Sequence, residues 1–269
     1  IAIQSMTNTK TPDVEATVNQ ILELEKLGCE IIRVTVPNQE AADAIPAIKS
    51  QINIPFIADI HFDWRMALES MKKGADKIRI NPGNIGPEEY VDEIIQMAKK
   101  TKIPMRIGVN AGSLEQDLWS KYGSPTAEAL VESALRWIKF CEDRDYTDIV
   151  ISLKSSNVTE MVEAYKLIAN KCDYPLHLGV THAGSALAGG IRNAMGMGAL
   201  LLEGIGDTIR VSLAADPEEE IVACKEILKG LDLYEKERSI IACPGCGRTE
   251  IDLLKLVGEV ERRTAGLKK

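Results

Sequence analysis

The chain has 269 residues, enough for one large α/β domain or for a domain and a fragment. Its hydrophobic share of 45% is ordinary for a packed core, and with aromatics at 4% that core must be built from Ile, Leu, Val, Ala and Met. A net charge of −8 with pI near 5.1 argues against a nucleic-acid surface, though a local cluster of cations can still face a small anion.

The opening IAIQSMTN begins like a strand and lacks Met, a charged leader and a cleavage signature, so it reads as a trimmed start. From there a short β-branched run, a polar loop and an amphipathic helix recur. Strand-like runs fall at Ala2–Gln4, Ile31–Val36, Phe56–Asp59, Lys77–Ile80, Met105–Val109, Ile149–Leu153, Leu176–Val180 and Ile209–Leu213. Helical patterns between them include Val14–Leu27, Trp64–Lys73, Glu88–Lys100, Glu128–Asp143, Val158–Lys171 and Glu218–Leu231. Asp13 and Thr126 suit helix caps, while Pro87 and Pro217 suit first turns. Strict alternation implies a parallel sheet, and about eight units in about 230 residues is the arithmetic of a closed (β/α)8 barrel. A doubly wound open sheet is the competing architecture, but the first strand-to-helix loop carries no G-x-G-x-x-G fingerprint. Residues 1–235 are therefore expected to form the barrel, and 236–269 the beginning of a second domain. No apolar run approaches the roughly 20 residues that span a bilayer, and no membrane role is expected.

Barrel strands point alternate residues inward, so the strand ends sort by parity. One parity holds Arg33, Asp59 and His61, Arg79 and Asn81, Arg106 and Asn110, Ser152 and Lys154, and Arg210. The other holds Ile60, Ile78, Ile80, Ile107, Val109, Leu153, Leu178, Val180, Ile209 and Val211. The polar set must face the lumen. Five inward cations (Arg33, Arg79, Arg106, Lys154, Arg210) need anionic partners, because an uncompensated buried charge costs several kcal/mol. Internal salt bridges with Asp59, Glu203 or other acids are one explanation, but the inward acids are too few for all five. An anionic ligand, most simply a phosphate or diphosphate, is the economical partner.

The small-residue stretch THAGSALAGG at 181–190 precedes a helical segment and can cradle phosphate on backbone N–H groups. The NPGNIG and NAGS loops offer the amides of Asn81 and Asn110 for hydroxyls. Acid–base candidates are Asp59, His61, His182 and Glu203. Glu203, in LLLEGIGD at the end of an apolar helix, is the candidate for a carboxyl of raised pKa. A surface carboxylate at a helix end explains its spacing equally well. His177 has inward parity but lies early in its strand, which favours a satisfied core histidine.

Six cysteines do not make a dense disulfide framework. Cys29, Cys141, Cys172 and Cys224 lie singly and read as buried small hydrophobes in a reducing, cytoplasmic compartment. Cys243 and Cys246 in IACPGCGR differ: a thiolate pair at this spacing can grip one metal or two corners of an iron–sulfur cluster. Neither site is filled by two ligands, and no Cys or His follows.

The runs QSMTNT, ADIHFD, RINPGNIG, RIGVNAGSL, SLKSSN, PLHLGVTHAG, LLLEGIGDTIRVSLAADP and IACPGCGR, in order along the whole chain, resemble the 4-hydroxy-3-methylbut-2-enyl diphosphate synthase family. The resemblance implies a TIM barrel followed by a small iron–sulfur domain, of which this chain carries the incomplete start. It implies reductive ring opening and dehydration of 2-C-methyl-D-erythritol 2,4-cyclodiphosphate, a [4Fe–4S] cluster, ferredoxin or flavodoxin as electron donor, and a bacterial homodimer. By matching motif, Cys243 and Cys246 become cluster ligands, and Arg33, Arg79, Arg106 and Lys154 hold the diphosphate. Asp59 and His61 match the ADIHF site, Asn110 and Asn157 the polar contacts, and Glu203 a barrel carboxylate. The family's third cysteine and its Glu ligand lie in a GCVVNGPGE-like motif beyond this chain, so a truncated piece with an incomplete cluster, inactive alone, is expected. His182 stands in THAG where several members carry Glu. A non-redox phosphosugar- or pterin-binding barrel with a zinc knuckle shared between chains is the alternative.

Overall fold

The structure, a computed structural model, describes residues 1–234, 240–264 and 267. The chain divides into two compact units, Ile1–Cys224 and Lys225–Lys269. The expected boundary between residues 235 and 236 lies outside the described residues.

The first unit is built on eight strands: β1 (Ala2–Met6), β2 (Ile31–Thr35), β3 (Phe56–Ile60), β4 (Lys77–Ile80), β5 (Met105–Asn110), β6 (Ile149–Lys154), β7 (His177–Leu178) and β8 (Thr208–Ile209). The neighbours run in the order β6-β5-β4-β3-β2-β1-β8-β7, and all pairs are parallel. Only β6 and β7 lack a ladder, and the single bridge Ile151–Leu176 spans that seam. The Tyr165 hydroxyl supports it, accepting from the Leu153 N–H at 3.0 Å and donating to the His177 carbonyl. The expected (β/α)8 barrel is present.

Around the strands lie α1 (Val14–Leu27), α2 (Gln39–Lys49), α3 (Trp64–Lys72), the one-turn α4 (Pro82–Ile85), α5 (Glu88–Thr101), α6 (Gln116–Tyr122), α7 (Ala127–Glu142), α8 (Val158–Ala169), α9 (Ala186–Leu201) and α10 (Pro217–Gly230). Asp13 and Thr126 cap as expected, accepting from the N–H groups of Ala16 at 3.1 Å and Ala129 at 3.3 Å. Such caps satisfy donors that a helix cannot bond internally. Pro46 inside α2 breaks the helical reading of that segment, yet Ala41, Ala42, Ile45 and Ile48 form a buried face. The parity argument also holds: the apolar set from Ile60 and Ile78 to Ile209 and Val211 is buried between strands and helices. Each such side chain contributes roughly 1.5–3 kcal/mol on leaving water.

The last two strands are shorter than their sequence runs because side chains take over the ladder's work. The Val180 N–H goes to the Asn193 carboxamide at 3.0 Å, and the Leu213 N–H to Glu220 at 3.1 Å. Of the four single cysteines, Cys29, Cys141 and Cys224 are buried and Cys172 is half-buried. Burial pushes the thiols of Cys141 and Cys224 up to about 12, so they act as apolar packing.

In the second unit, α11 (Leu253–Thr264) falls within the expected run Thr249–Arg263 except for its last residue. It has no buried residue.

Candidate functional site

The β-to-α loops and the carboxyl ends of the strands define one mouth of the barrel, where such folds place their chemistry. Register sets the charged residues side by side: Asp59 lies opposite Arg79 and Arg79 opposite Arg106, while Asn110 lies opposite Lys154. All five predicted cations come together here, and Arg33, Arg79, Arg106 and Lys154 are at most 7% exposed.

Asp59 is the anchor. Its carboxylate receives Arg79 Nη1 at 3.2 Å, pairs with Arg33 Nε at 3.4 Å, and lies 3.8 Å from His61 Nε2. Burial alone would raise its pKa, but Arg33, Arg79, His61 and Arg106 overcome that and hold it well below the usual carboxylate range. Asp59 is therefore a fixed anion, which suits a positioning role and rules out proton donation near neutral pH. With its amide oriented to satisfy both ends, Asn110 accepts from Arg79 Nη2 at 3.1 Å.

Arg210 is paired elsewhere. Glu220, in the first turn of α10, takes Arg210 Nε and Nη2 at 3.1 Å each, and also the Ser5 hydroxyl at 3.2 Å. The sequence reading missed Glu220, although it precedes the buried Cys224 by one helical repeat and so shares its inward face.

Among the described residues, two cations remain without an acid. Arg106 bonds Gln4 Oε1 at 3.3 Å through Nη1, while its Nε and Nη2 are buried with no partner. Lys154 makes no hydrogen bond or ion pair among the described residues. Arg33 Nη2 and Arg210 Nη1 have only the Met6 sulfur, at 3.1 and 3.6 Å, a weak acceptor. Internal salt bridges thus account for Arg33, Arg79 and Arg210 and leave the mouth with unsatisfied donors.

Two glycines make the room. A Cβ on Gly108 would lie 2.6 Å from Arg79 Nε, and one on Gly179 would lie 3.0 Å from Lys154 Nζ and 2.4 Å from the Arg210 carbonyl oxygen. His177 is fully buried in the lumen, its Nδ1 sharing a hydrogen bond with Thr208 Oγ1 at 2.8 Å and its Nε2 unpartnered. Burial first, then Arg106, Lys154, Arg33 and Arg210, lower its pKa and keep the ring neutral.

Three further candidates have other partners in the structure. Glu203 does not reach the mouth: it lies between α9 and β8, on the side where strands begin, exposed and paired with Lys166 of α8. This carboxylate is solvated and lacks the apolar surroundings expected of it. Asn81 locks loops together, donating to Ser113 Oγ at 2.6 Å and accepting from the Gly83 N–H at 3.2 Å, so both ends of its amide are already engaged within the protein. Asn157 caps α8, its oxygen accepting from Thr159 and Glu160, which leaves only its amide nitrogen for a ligand. His182 is exposed on the loop after β7 with a left-handed φ of 51°.

Comparison with known proteins matches the chain to a family. A model described as the GcpE TIM-barrel domain covers residues 1–225. The 4-hydroxy-3-methylbut-2-en-1-yl diphosphate synthase (flavodoxin) of Caldanaerobacter subterraneus subsp. tengcongensis is 57% identical over 269 residues, all of this chain and 76% of that protein. The like-named protein of Fusobacterium nucleatum is 57% identical over 261 residues, 97% of this chain and 74% of its own length. The chain belongs to the GcpE family. Among solved structures, a Yersinia pestis dihydropteroate synthase superposes with a TM-score of 0.58 at 14% identity, over 86% of this chain and 93% of that one. At that identity the likeness extends to the barrel fold alone.

For the GcpE chain the cysteine pair stands in the second unit. Cys243 and Cys246 are both exposed. The Arg248 backbone N–H and side chain, with the Thr249 hydroxyl, lower the Cys246 thiol below its ordinary value, favouring the thiolate that binds metal. The donor chemistry fits two corners of an iron–sulfur cluster. Among the described residues no third Cys, His, Asp or Glu joins them.

Proposed function

We propose that this barrel binds 2-C-methyl-D-erythritol 2,4-cyclodiphosphate and serves its reductive conversion to 4-hydroxy-3-methylbut-2-enyl diphosphate. The carrying observation is the pair of buried cations without an acid, Arg106 and Lys154, beside three partly satisfied arginines. The printed names of relatives 53–57% identical to this chain supply the product and the donor class, flavodoxin.

In the reaction the ring C–O bond to phosphate breaks, an adjacent hydroxyl leaves as water, and a C=C bond forms as two electrons and the balancing protons enter. Arg106, Lys154 and the free edges of Arg33 and Arg79 take the phosphate oxygens, and the same donors stabilise the charge that grows on the oxygen released from carbon. Asp59 fixes the angles of Arg33 and Arg79. His61, 40% exposed at its side chain, lies at the opening beside Asp59 and gives its proton to the departing hydroxyl. A bound iron–sulfur cluster supplies electrons one at a time, and Cys243 and Cys246 are the side chains here that would hold it. The working assembly in this reading is a homodimer.

Calorimetric titration with the cyclic diphosphate tests the binding half. Arg106→Ala is expected to weaken binding at least about thirtyfold, the equivalent of roughly 2 kcal/mol for a desolvated charge contact. Equal affinity in the variant would move the ligand away from the lumen.

A further inference from the structure

The mouth carries more positive charge than its acids balance. Lys154 ends β6, opposite Asn110 of β5, and Arg33 of β2, Arg79 of β4, Arg106 of β5 and Arg210 after β8 all lie near enough to repel its charge, with His177 of β7 nearby. The acids in reach of this group are already engaged, Asp59 of β3 by Arg33, Arg79 and His61, and Glu220 of α10 by Arg210. Lys154 is 7% exposed and among the described residues has neither a carboxylate nor a carbonyl as partner, while a Cβ on Gly179 would lie 3.0 Å from its nitrogen, so the glycine leaves that nitrogen its space.

Such a cluster relieves its charge through the member that releases a proton most readily. A guanidinium, with an ordinary pKa above about 12, stays charged, whereas an ammonium at about 10.4 yields first. His177 has no proton left to give, since its ring is already neutral. We propose that Lys154 stands in the free site as an uncharged amine and takes up a proton as the cyclic diphosphate binds, so that ligand and proton arrive together. This rests on the substrate reading above. Burial and the surrounding arginines lower the Lys154 pKa well below its ordinary value, in the same direction. The arriving dianion reverses the sign of the local field and draws the proton on. Proton and charge balance: the amine lone pair takes the proton from solvent, no covalent bond to the ligand forms, and the site gains one positive charge against the ligand's two negative ones.

Two consequences follow for the reaction. The free enzyme avoids holding one more uncompensated buried charge, and the cation is completed only around a ligand negative enough to summon it. Lys154 thereby selects for charge as well as shape, and a singly charged phosphate ester is discriminated against.

The test uses this 269-residue chain and the cyclic diphosphate, whose phosphorus atoms are both esterified and which has no titrating proton near neutral pH. Calorimetry at pH 8 in buffers of different ionisation enthalpy gives the number of protons exchanged. Wild type is expected to take up about one proton, with affinity falling about tenfold per pH unit through that range. Lys154→Met and Lys154→Arg, each checked for folding by thermal unfolding, are expected to bind with no uptake, the methionine form weakly. Tight wild-type binding without proton uptake overturns the proposal. Uptake that persists in Lys154→Met also overturns it, by assigning the proton to another group such as His61. Failure of folded wild type to bind at all instead sinks the substrate reading, and the proposal with it.

Discussion

Asp59 concentrates the electrostatics of the mouth on one side chain, so its removal has a calculable consequence. Asp59→Asn leaves Arg33 and Arg79 without their acid in a site where both are nearly buried. Breaking a buried pair in this way costs about 3–5 kcal/mol, and urea unfolding should register a loss of that size. The folded carboxyl is held below its unfolded value, so its contribution is complete above the ordinary carboxylate range. It is lost only as pH falls through the depressed folded value, in strong acid. Glu203 behaves oppositely. Glu203→Gln breaks an exposed pair with Lys166 and should cost at most about 1 kcal/mol while leaving cyclic diphosphate affinity unchanged. A hundredfold weaker variant would return Glu203 to the site. Strand parity revealed the lumen cations because a two-residue period is written directly in sequence. It could not place Glu203 or Glu220, since both sit outside strands, where the end of the barrel depends on chain direction and helix phase.

The barrel seam is the weak element. The strands β1 to β6 have continuous ladders, but between β6 and β7 one backbone bridge, the Thr181 N–H on the Ser155 carbonyl at 3.2 Å and one phenol carry the closure. Tyr165→Phe keeps the ring and removes the hydroxyl, leaving the Leu153 N–H and the His177 carbonyl buried and unbonded. At roughly 1–3 kcal/mol per orphaned group, the expected loss is about 2–4 kcal/mol. Amide exchange at Leu153 should accelerate well beyond that of Ile80 in the intact ladder of β4. Equal protection of both amides would show that the seam is held by something other than this hydroxyl. The runs Leu176–Val180 and Ile209–Leu213 read as full strands because apolar alternation does not reveal which N–H groups will find side-chain acceptors. Asn193 and Glu220 take those bonds, and each lies in a helix that sequence pattern treats as simply amphipathic.

For the whole barrel, folding must gather cations that the described residues do not fully neutralise, although the chain as a whole is acidic at −8. An anion in the lumen is therefore part of the folded state's stability, not only a substrate. A ligand that binds the native form alone adds about 2.7 kcal/mol at a hundredfold excess over its Kd, which for a domain of this size raises Tm by about 5–10 °C. The cyclic diphosphate should produce that rise, and neutral erythritol should not. The pH dependence of free and bound forms should diverge. In the free barrel the Lys154 pKa is depressed, so the unfolded chain binds the additional proton. Raising pH removes that proton from the unfolded chain, and this contribution to stability increases until the ordinary lysine range is passed. Once ligand restores the ammonium, the native state holds the proton as well and that slope flattens. Melting curves between pH 7 and pH 10, with and without ligand, should therefore converge as pH rises, the stabilisation being largest at the acid end. Curves that remain parallel across this range would separate anion binding from any titrating lysine, and would leave the stabilisation to the permanent charges of Arg33, Arg79 and Arg106.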